Sequence, residues 1–432
     1  MSWDRRRPEW VRARQDKALG EYLSGDVFPY SAFYRARFEG AGLGHRDVGS
    51  AAALRRLPTM TLADIDDPAA IVLRPDEASI QRYAGIGLVA RVAWAKLRGT
   101  QSLLNERLID PMFKPVHWHV DEGIPIGSSP VDIERLGELG RRWLERAGLD
   151  PYDVVAGLLP AGPSLPYWQL VLGCRHAGVS AIHLGAHATP AQLAAVGPTV
   201  IAGRPTDLLR MLEPANGDDT VARAVARVHT VLVAGDRLDE ATRSRIVNRL
   251  PSGTVAVAAW APPGARALWS ECRGGDGYHV APDSELIEII DPLSGVPLAG
   301  HADGEIVWSA LGWRGSVLLR LRTASYGALD GAPCPTCGRT TPRVKLTAVD
   351  PPFTAVLSAH PGIAAWQAEL RWIDGVEELL VFVAPASGSH PGRLLRDIDR
   401  HLAATQYVVL PRPELDARIA EHGGRRLVDL RD

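Results

Sequence analysis

Between Val154 and Trp260 the chain alternates short apolar runs with segments of helical spacing. The runs Val154 to Leu159, Val179 to Leu184, Thr199 to Ala202, Val228 to Ala234 and Val255 to Trp260 are near-continuously apolar, as strands buried on both faces are. Leu165 to Ala177, Ala191 to Val196, a segment opening at Arg204-Pro205-Thr206-Asp207, and Glu240 to Leu250 have the 3.6-residue spacing of helices. Strands that alternate with helices predict a parallel sheet with helices on both faces, which confines this region to the α/β class. Gly235-Asp236-Arg237-Leu238 leads into the last of these helices, with Asp236 as part of its N-terminal cap.

A chain of 432 residues exceeds one ordinary core, so two or three domains are expected. The reading is a large region over residues 1–345, with parallel and mixed sheets flanked by helices, and a small α+β domain over residues 350–432. In the small domain Trp366 to Trp372, Leu379 to Val383 and Gln406 to Leu410 read as strands, and Pro391 to Thr405 as a helix. A ferredoxin-like plait fits that order. Residues 1–66 read as helices with a polar face, and residues 67–130 carry little legible pattern. The net charge of −2 gives no basic face for nucleic acid. No apolar run is long enough to span a bilayer, and the arginines of the first ten residues precede no apolar h-region. Four cysteines suit a reducing compartment, so the expected location is the cytoplasm.

Three of those cysteines fall between Trp269 and Arg343, with a histidine among them. Cys334 and Cys337 form a C-x2-C, which sets two thiolates on one side of a tight loop. Cys272 and His279 can close the shell across a hairpin within residues 268–340. Four soft N/S ligands point to zinc, in a closed and therefore structural site. The alternative is a reduced C-x2-C in a Gly/Pro-rich turn, with His279 unrelated.

The same stretch carries a family resemblance. Glu271-Cys272 is followed by Tyr278-His279, then Glu288-Ile289-Ile290-Asp291, Gly304-Glu305-Ile306-Val307, Arg320 to Thr323, and Cys334-Pro335-Thr336-Cys337-Gly338-Arg339. In this order the motifs resemble the phenylacetate–CoA ligase branch of the AMP-forming (adenylate-forming) ligases. Pro29 to Tyr34 and Leu54 to Thr61 are similar to that branch's opening, and the Gly423-Gly424-Arg425-Arg426 ending is similar to its last motif. The resemblance implies a nucleotide and acyl site at Ser128, Ser129, Asp236, Trp260, Arg322, Ser325 and Arg425.

At each ATP motif the chain departs from the pattern. The Ser/Thr/Gly-rich phosphate loop is reduced to Gly127-Ser128-Ser129-Pro130, where Ser129 also reads as a helix cap and Pro130 as the first helical residue. Where the branch has aromatic-Gly-x-Thr-Glu, this chain reads Trp260-Ala261-Pro262-Pro263-Gly264-Ala265. Ser325 stands at the ribose aspartate, and the hinge motif after Arg343 is absent. The lysines are Lys17, Lys96, Lys114 and Lys345, so the last domain has none for adenylation; Arg425 is nearest.

A fold kept while its chemistry is altered points to a homologue without ATP-dependent adenylation, acting as a binding or scaffold protein for an active paralogue or another pathway protein. An ATP-independent acyl-transfer or condensation enzyme is one alternative, with His117, His119, His176, His183 and His187 as candidate acid/base groups and Trp168 nearby. A diverged but active aromatic acid–CoA ligase, using ATP and magnesium, is the other; it requires a nest of backbone N–H groups near Gly127. A small carboxylic acid or acyl ligand and a homodimer are compatible with the resemblance.

Overall fold

The computed structural model describes residues 3–100, 102, 105–213, 220–292, 294–298, 302–347, 357, 360–373, 376–399, 406–422 and 427–430. The chain divides into two compact units, one of residues 1–287, 307–323 and 330–344, the other of 288–306, 324–329 and 345–432.

A hairpin of β1 (His117–Asp121) and β2 (Ile124–Ser128) opens the strand series, paired from His117 with Ser128 to Asp121 with Ile124. The α/β rhythm then appears as β3 (Val154–Gly157), helix Leu165–Ala177, β4 (Ser180–His183), helix Pro190–Val196, β5 (Val200–Gly203), helix Pro205–Met211, β6 (Thr230–Ala234), helix Glu240–Val247 and β7 (Val255–Trp260). These five strands are parallel, in the order β7-β6-β5-β3-β4. The parallel sheet expected from the alternating runs is therefore present, and β5 and β6 are buried along their whole length. The chain goes outward from β3 to β4, then returns to the other side of β3 to form β5. That reversal makes a topological switch point, where the carboxyl ends of the strands open a crevice.

At β7 the sheet turns antiparallel through β8 (Trp269–Ser270), β9 (Tyr278–His279) and β13 (Arg343–Leu346). The sheet order continues through β12 (Leu321–Asp330) and β11 (Gly304–Ala310) to β10 (Glu285–Ile290). Glu285, 2 % exposed, anchors this region. It accepts hydrogen bonds from the indole Nε1 atoms of Trp269 at 2.9 Å and Trp308 at 2.7 Å, and from the Ala281 N–H at 2.7 Å. In Glu285→Gln an amide NH2 would face an indole N–H. We expect a loss of about 2–3 kcal/mol, measured by urea unfolding; no loss would mean that the indoles have other acceptors.

The second unit holds a four-stranded sheet of β14 (Ile363–Ile373), β15 (Val376–Pro385), β16 (Gln406–Val409) and β17 (Leu427–Leu430), in the order β16-β15-β14-β17. β14 and β15 are antiparallel, and the two outer pairs are parallel. The domain is α+β as read, but it is not a ferredoxin-like plait. Among the described residues its elements run β-β-α-β-α-β, and the two helices lie on opposite faces. Leu394 and Ile398 of helix Pro391–Asp399 pack with Trp366, Ala368, Val381 and Val383. Leu415 of helix Arg412–Glu421 packs with Ala365, Leu380, Phe382 and Ala384. Alternation along β14 and β15 sends apolar residues to both faces, so one helix covers each. The expected helix end at residues 400–405 lies outside the described residues.

Candidate functional site

A cavity of about 510 Å³ opens at the switch point, where β3, β5, β6 and β7 end. Pro160 follows β3, Arg204 follows β5, Gly235 and Asp236 follow β6, and Trp260 to Pro263 end β7, all in its wall. The placement is the one expected of a ligand crevice in an open α/β sheet. Two of the residues expected to remain from a nucleotide site, Asp236 and Trp260, therefore reach the cavity. The Arg237 guanidinium lies over the Trp260 ring, 4.7 Å from its centroid, and Trp269 meets the ring edge-on at 5.6 Å. Arg204 donates from Nε to Asp207 Oδ2 at 2.7 Å, and this bond, with the nearby charge of Asp236, holds its pKa above the ordinary value.

The serines take a different place. Ser128 and Ser129 are fully buried. Ser129 caps helix Pro130–Arg146: its Oγ accepts from the Asp132 N–H at 3.3 Å, and its own N–H donates to Asp132 Oδ2 at 3.0 Å. The Gly127 N–H donates to Ser316 Oγ at 2.8 Å. The backbone donors near Gly127 are thus engaged inside the protein. What faces the cavity from this segment is the end of β1, at Val120 and Asp121. β1 and β2 are joined by Glu122 and Gly123 alone, at φ of 46° and 80°, the positive-φ pair a tight I′ turn requires. Asp121 Oδ2 accepts from the Gly264 N–H at 2.8 Å, and burial raises its pKa. Burial also raises Glu122, with Asp121 adding to the effect. Sequence reasoning passed over Asp121 and Glu122. The available signal was Asp-Glu-Gly between two runs of alternating polarity, which is a hairpin signature.

Arg322 and Ser325 lie on β12; Arg322 is not among the residues that line the cavity, and Ser325 belongs to the second unit. The Arg322 N–H donates to the Met60 carbonyl at 2.7 Å, and Ser325 is buried. Arg425 lies outside the described residues. The candidate histidines do not line the cavity either. His176 contacts Glu134 at 3.0 Å, His187 is exposed, and His183 packs edge-on against Tyr167. His117 packs against Trp168 at 4.6 Å. His119 is fully buried, burial pushes its pKa down to about 3, and neither ring nitrogen has a hydrogen-bond partner among the described residues. Strand alternation puts His117, His119 and Asp121 on one face of β1.

The four residues with metal-ligand spacing do converge. The ligand atoms of Cys272, His279, Cys334 and Cys337 all lie within 4.8 Å of one another. Cys272 Sγ is 3.9 Å from Cys334 Sγ, and Cys337 Sγ is 3.4 Å from His279 Nε2. A tetrahedral ion with metal–sulfur bonds of about 2.3 Å and metal–nitrogen bonds of about 2.0 Å needs edges of roughly 3.8 and 3.5 Å, so the donor set fits one. His279 lies on β9, and Cys272 is two residues past β8. The C-x2-C sits in the loop between β12 and β13, where β13 pairs with β9 through Arg343 and His279. Gly274 permits the loops to meet: a Cβ there would lie 1.9 Å from Thr336 Cγ2. Burial opposes ionisation of Cys334, yet hydrogen bonds from the Cys337 and Thr336 N–H groups bring its thiol below the ordinary value. Burial pushes Cys272 up to about 11 and His279 down to about 3. Arg339 pairs with Asp4 at 3.3 Å, and Arg343 with Asp330 at 2.6 Å, bracing the loop from both sides.

No family profile and no curated protein matches the chain. Among solved structures, an open form of 2-hydroxyisobutyryl-CoA ligase bound to 2-HIB-AMP and CoA is 18% identical, with a TM-score of 0.58 over 93% of this chain and 88% of that one. The same ligase in its thioesterification state gives 18% and 0.58 over 97% and 90%. Its postadenylation state gives 17% and 0.59 over 95% and 92%. Likeness at this identity carries the fold and nothing finer. In keeping with the AMP-forming ligase resemblance of its motifs, the chain has the fold of the acyl-CoA ligases.

Proposed function

We propose that this chain is a ligase-fold protein that does not adenylate a carboxylate, and that it acts by binding a small ligand in the cavity at the strand ends, as a scaffold or partner in its pathway. One observation carries the reading. The segment that reaches the cavity ahead of helix Pro130–Arg146 is the end of β1 at Val120 and Asp121, closed by the two-residue turn Glu122-Gly123, and not a glycine-rich loop of N–H donors. Phosphoryl chemistry depends on donors and cations placed around the phosphates. The Asp121 carboxylate in the wall repels a triphosphate, and each missing donor raises the barrier by about 2–4 kcal/mol. Ala261-Pro262-Pro263 in the wall supply neither hydroxyl nor carboxylate.

ATP-independent acyl transfer or condensation is a second reading. It is favoured by His119, buried without a hydrogen-bond partner among the described residues, on the strand face that also carries Asp121.

Zinc is the ion proposed for Cys272, His279, Cys334 and Cys337, because its preference for tetrahedral thiolate and imidazole matches this set. With four protein ligands its role is structural.

The test is calorimetric titration of the full chain with magnesium-ATP, together with carboxylate-dependent pyrophosphate exchange. Neither heat nor exchange is expected at millimolar ATP. Micromolar binding, or exchange with any carboxylic acid, would return the chain to the active ligases.

A further inference from the structure

We infer that the cavity takes a small molecule that presents an ammonium group to Asp121 and an apolar body to the wall formed by Pro160, Leu165, Trp260 and Leu268. This deepens the proposed function and rests on its assignment of the cavity as the ligand site.

The charges around the cavity single out Asp121. The Arg204 guanidinium lies between Asp207, to which it donates, and Asp236, whose charge acts on it. Those acids therefore have their counter-charge. Asp121 takes one N–H from Gly264, and no ion pair to it occurs among the described residues. A half-buried carboxylate with an oxygen to spare is stabilised by a charged N–H donor far more than by a neutral one. It repels an anion. The rest of the wall is mostly proline, alanine, leucine and tryptophan, which suits an aliphatic or aromatic body. A carboxylic acid, the kind of ligand the fold resemblance suggests, would meet the wrong sign of charge at Asp121.

The experiment titrates the full chain with phenethylamine, phenethyl alcohol and phenylacetate, three ligands of similar shape that differ in charge. The amine is expected to bind about tenfold or more tighter than the alcohol, and phenylacetate is expected not to bind. Asp121→Asn should reduce amine binding by about tenfold or more. It retains a carbonyl oxygen for the Gly264 N–H, and an unchanged melting temperature verifies its fold. Glu9→Gln, at an exposed position of helix Pro8–Tyr22 outside the cavity wall, should leave amine binding unchanged. The inference is overturned if phenylacetate binds in preference, if no amine binding is seen, or if Asp121→Asn binds the amine as the parent does. A parallel magnesium-ATP titration separates the two levels: a silent ATP arm with no amine binding sinks this inference alone, whereas an ATP response sinks the non-adenylating reading whatever the amine does.

Discussion

Cys334→Ser or Cys337→Ser is expected to abolish stoichiometric metal binding and to remove most of the folded protein. The cluster joins Cys272 just beyond β8, His279 on β9, and the loop that leads into β13. Besides its own backbone bonds, the 334–339 loop is held by the ion pairs of Arg339 with Asp4 and Glu145, and just beyond it by those of Arg343 with Asp276 and Asp330. Structural zinc contributes about 10–16 kcal/mol of apparent binding energy in small domains, against a total domain stability of about 5–15 kcal/mol. Even a third of that contribution would lower the melting temperature by roughly ten degrees or more. Elemental analysis and thermal unfolding of the purified variants provide the check. Cys174→Ala is the control, because Cys174 is buried in helix Leu165–Ala177, away from the cluster, and should keep the full metal content. Protein that purifies without metal, or that melts unchanged after exhaustive chelation, would refute the metal centre.

Asp132→Ala should be the most damaging change outside that cluster, at about 3–5 kcal/mol. Asp132 is fully buried at the start of helix Pro130–Arg146. Its carboxylate accepts from the N–H groups of Ser129 at 3.0 Å, Arg314 at 2.8 Å and Gly315 at 2.6 Å. It also pairs at 3.3 Å with Arg266, which is itself buried and stacked 4.3 Å over Trp313. Truncation leaves a buried guanidinium without its counter-charge and three N–H groups without acceptors. Asp132→Asn keeps one acceptor oxygen and should fall between the two in urea unfolding. A loss below about 1 kcal/mol for Asp132→Ala would mean that water reaches Arg266 and that the burial is incomplete. The same carboxylate ties the end of β2 to the Arg314-Gly315 segment, so it positions the hairpin whose other end faces the cavity.

Much of this protein is legible in local spacing. Val231 to Ala234 is apolar at every position, as a strand covered on both faces is, and it became part of β6 between its parallel neighbours. Ser129 and Pro130 are legible because a cap and a first helical residue depend on atoms three residues apart. The C-x2-C is legible because a four-residue loop dictates where its two thiols go. The small domain was misread for a related reason. Strand spacing identified β14, β15 and β16, but helix Arg412–Glu421 and β17 were missed, and no local signal says which face of a sheet a helix will cover.

The sequence by itself determined the class of the fold, the parallel sheet at its centre and the four residues that meet in the Cys/His cluster, because each follows from periodicity or from short loops. Only the tertiary structure decided what the cavity is made of. It buried Ser128 and Ser129, set Arg237 over Trp260, left Arg322 out of the wall, and brought Asp121 to the ends of strands far along the chain. The last of these depends on a contact between residues 143 positions apart, Asp121 with Gly264, which no local pattern encodes.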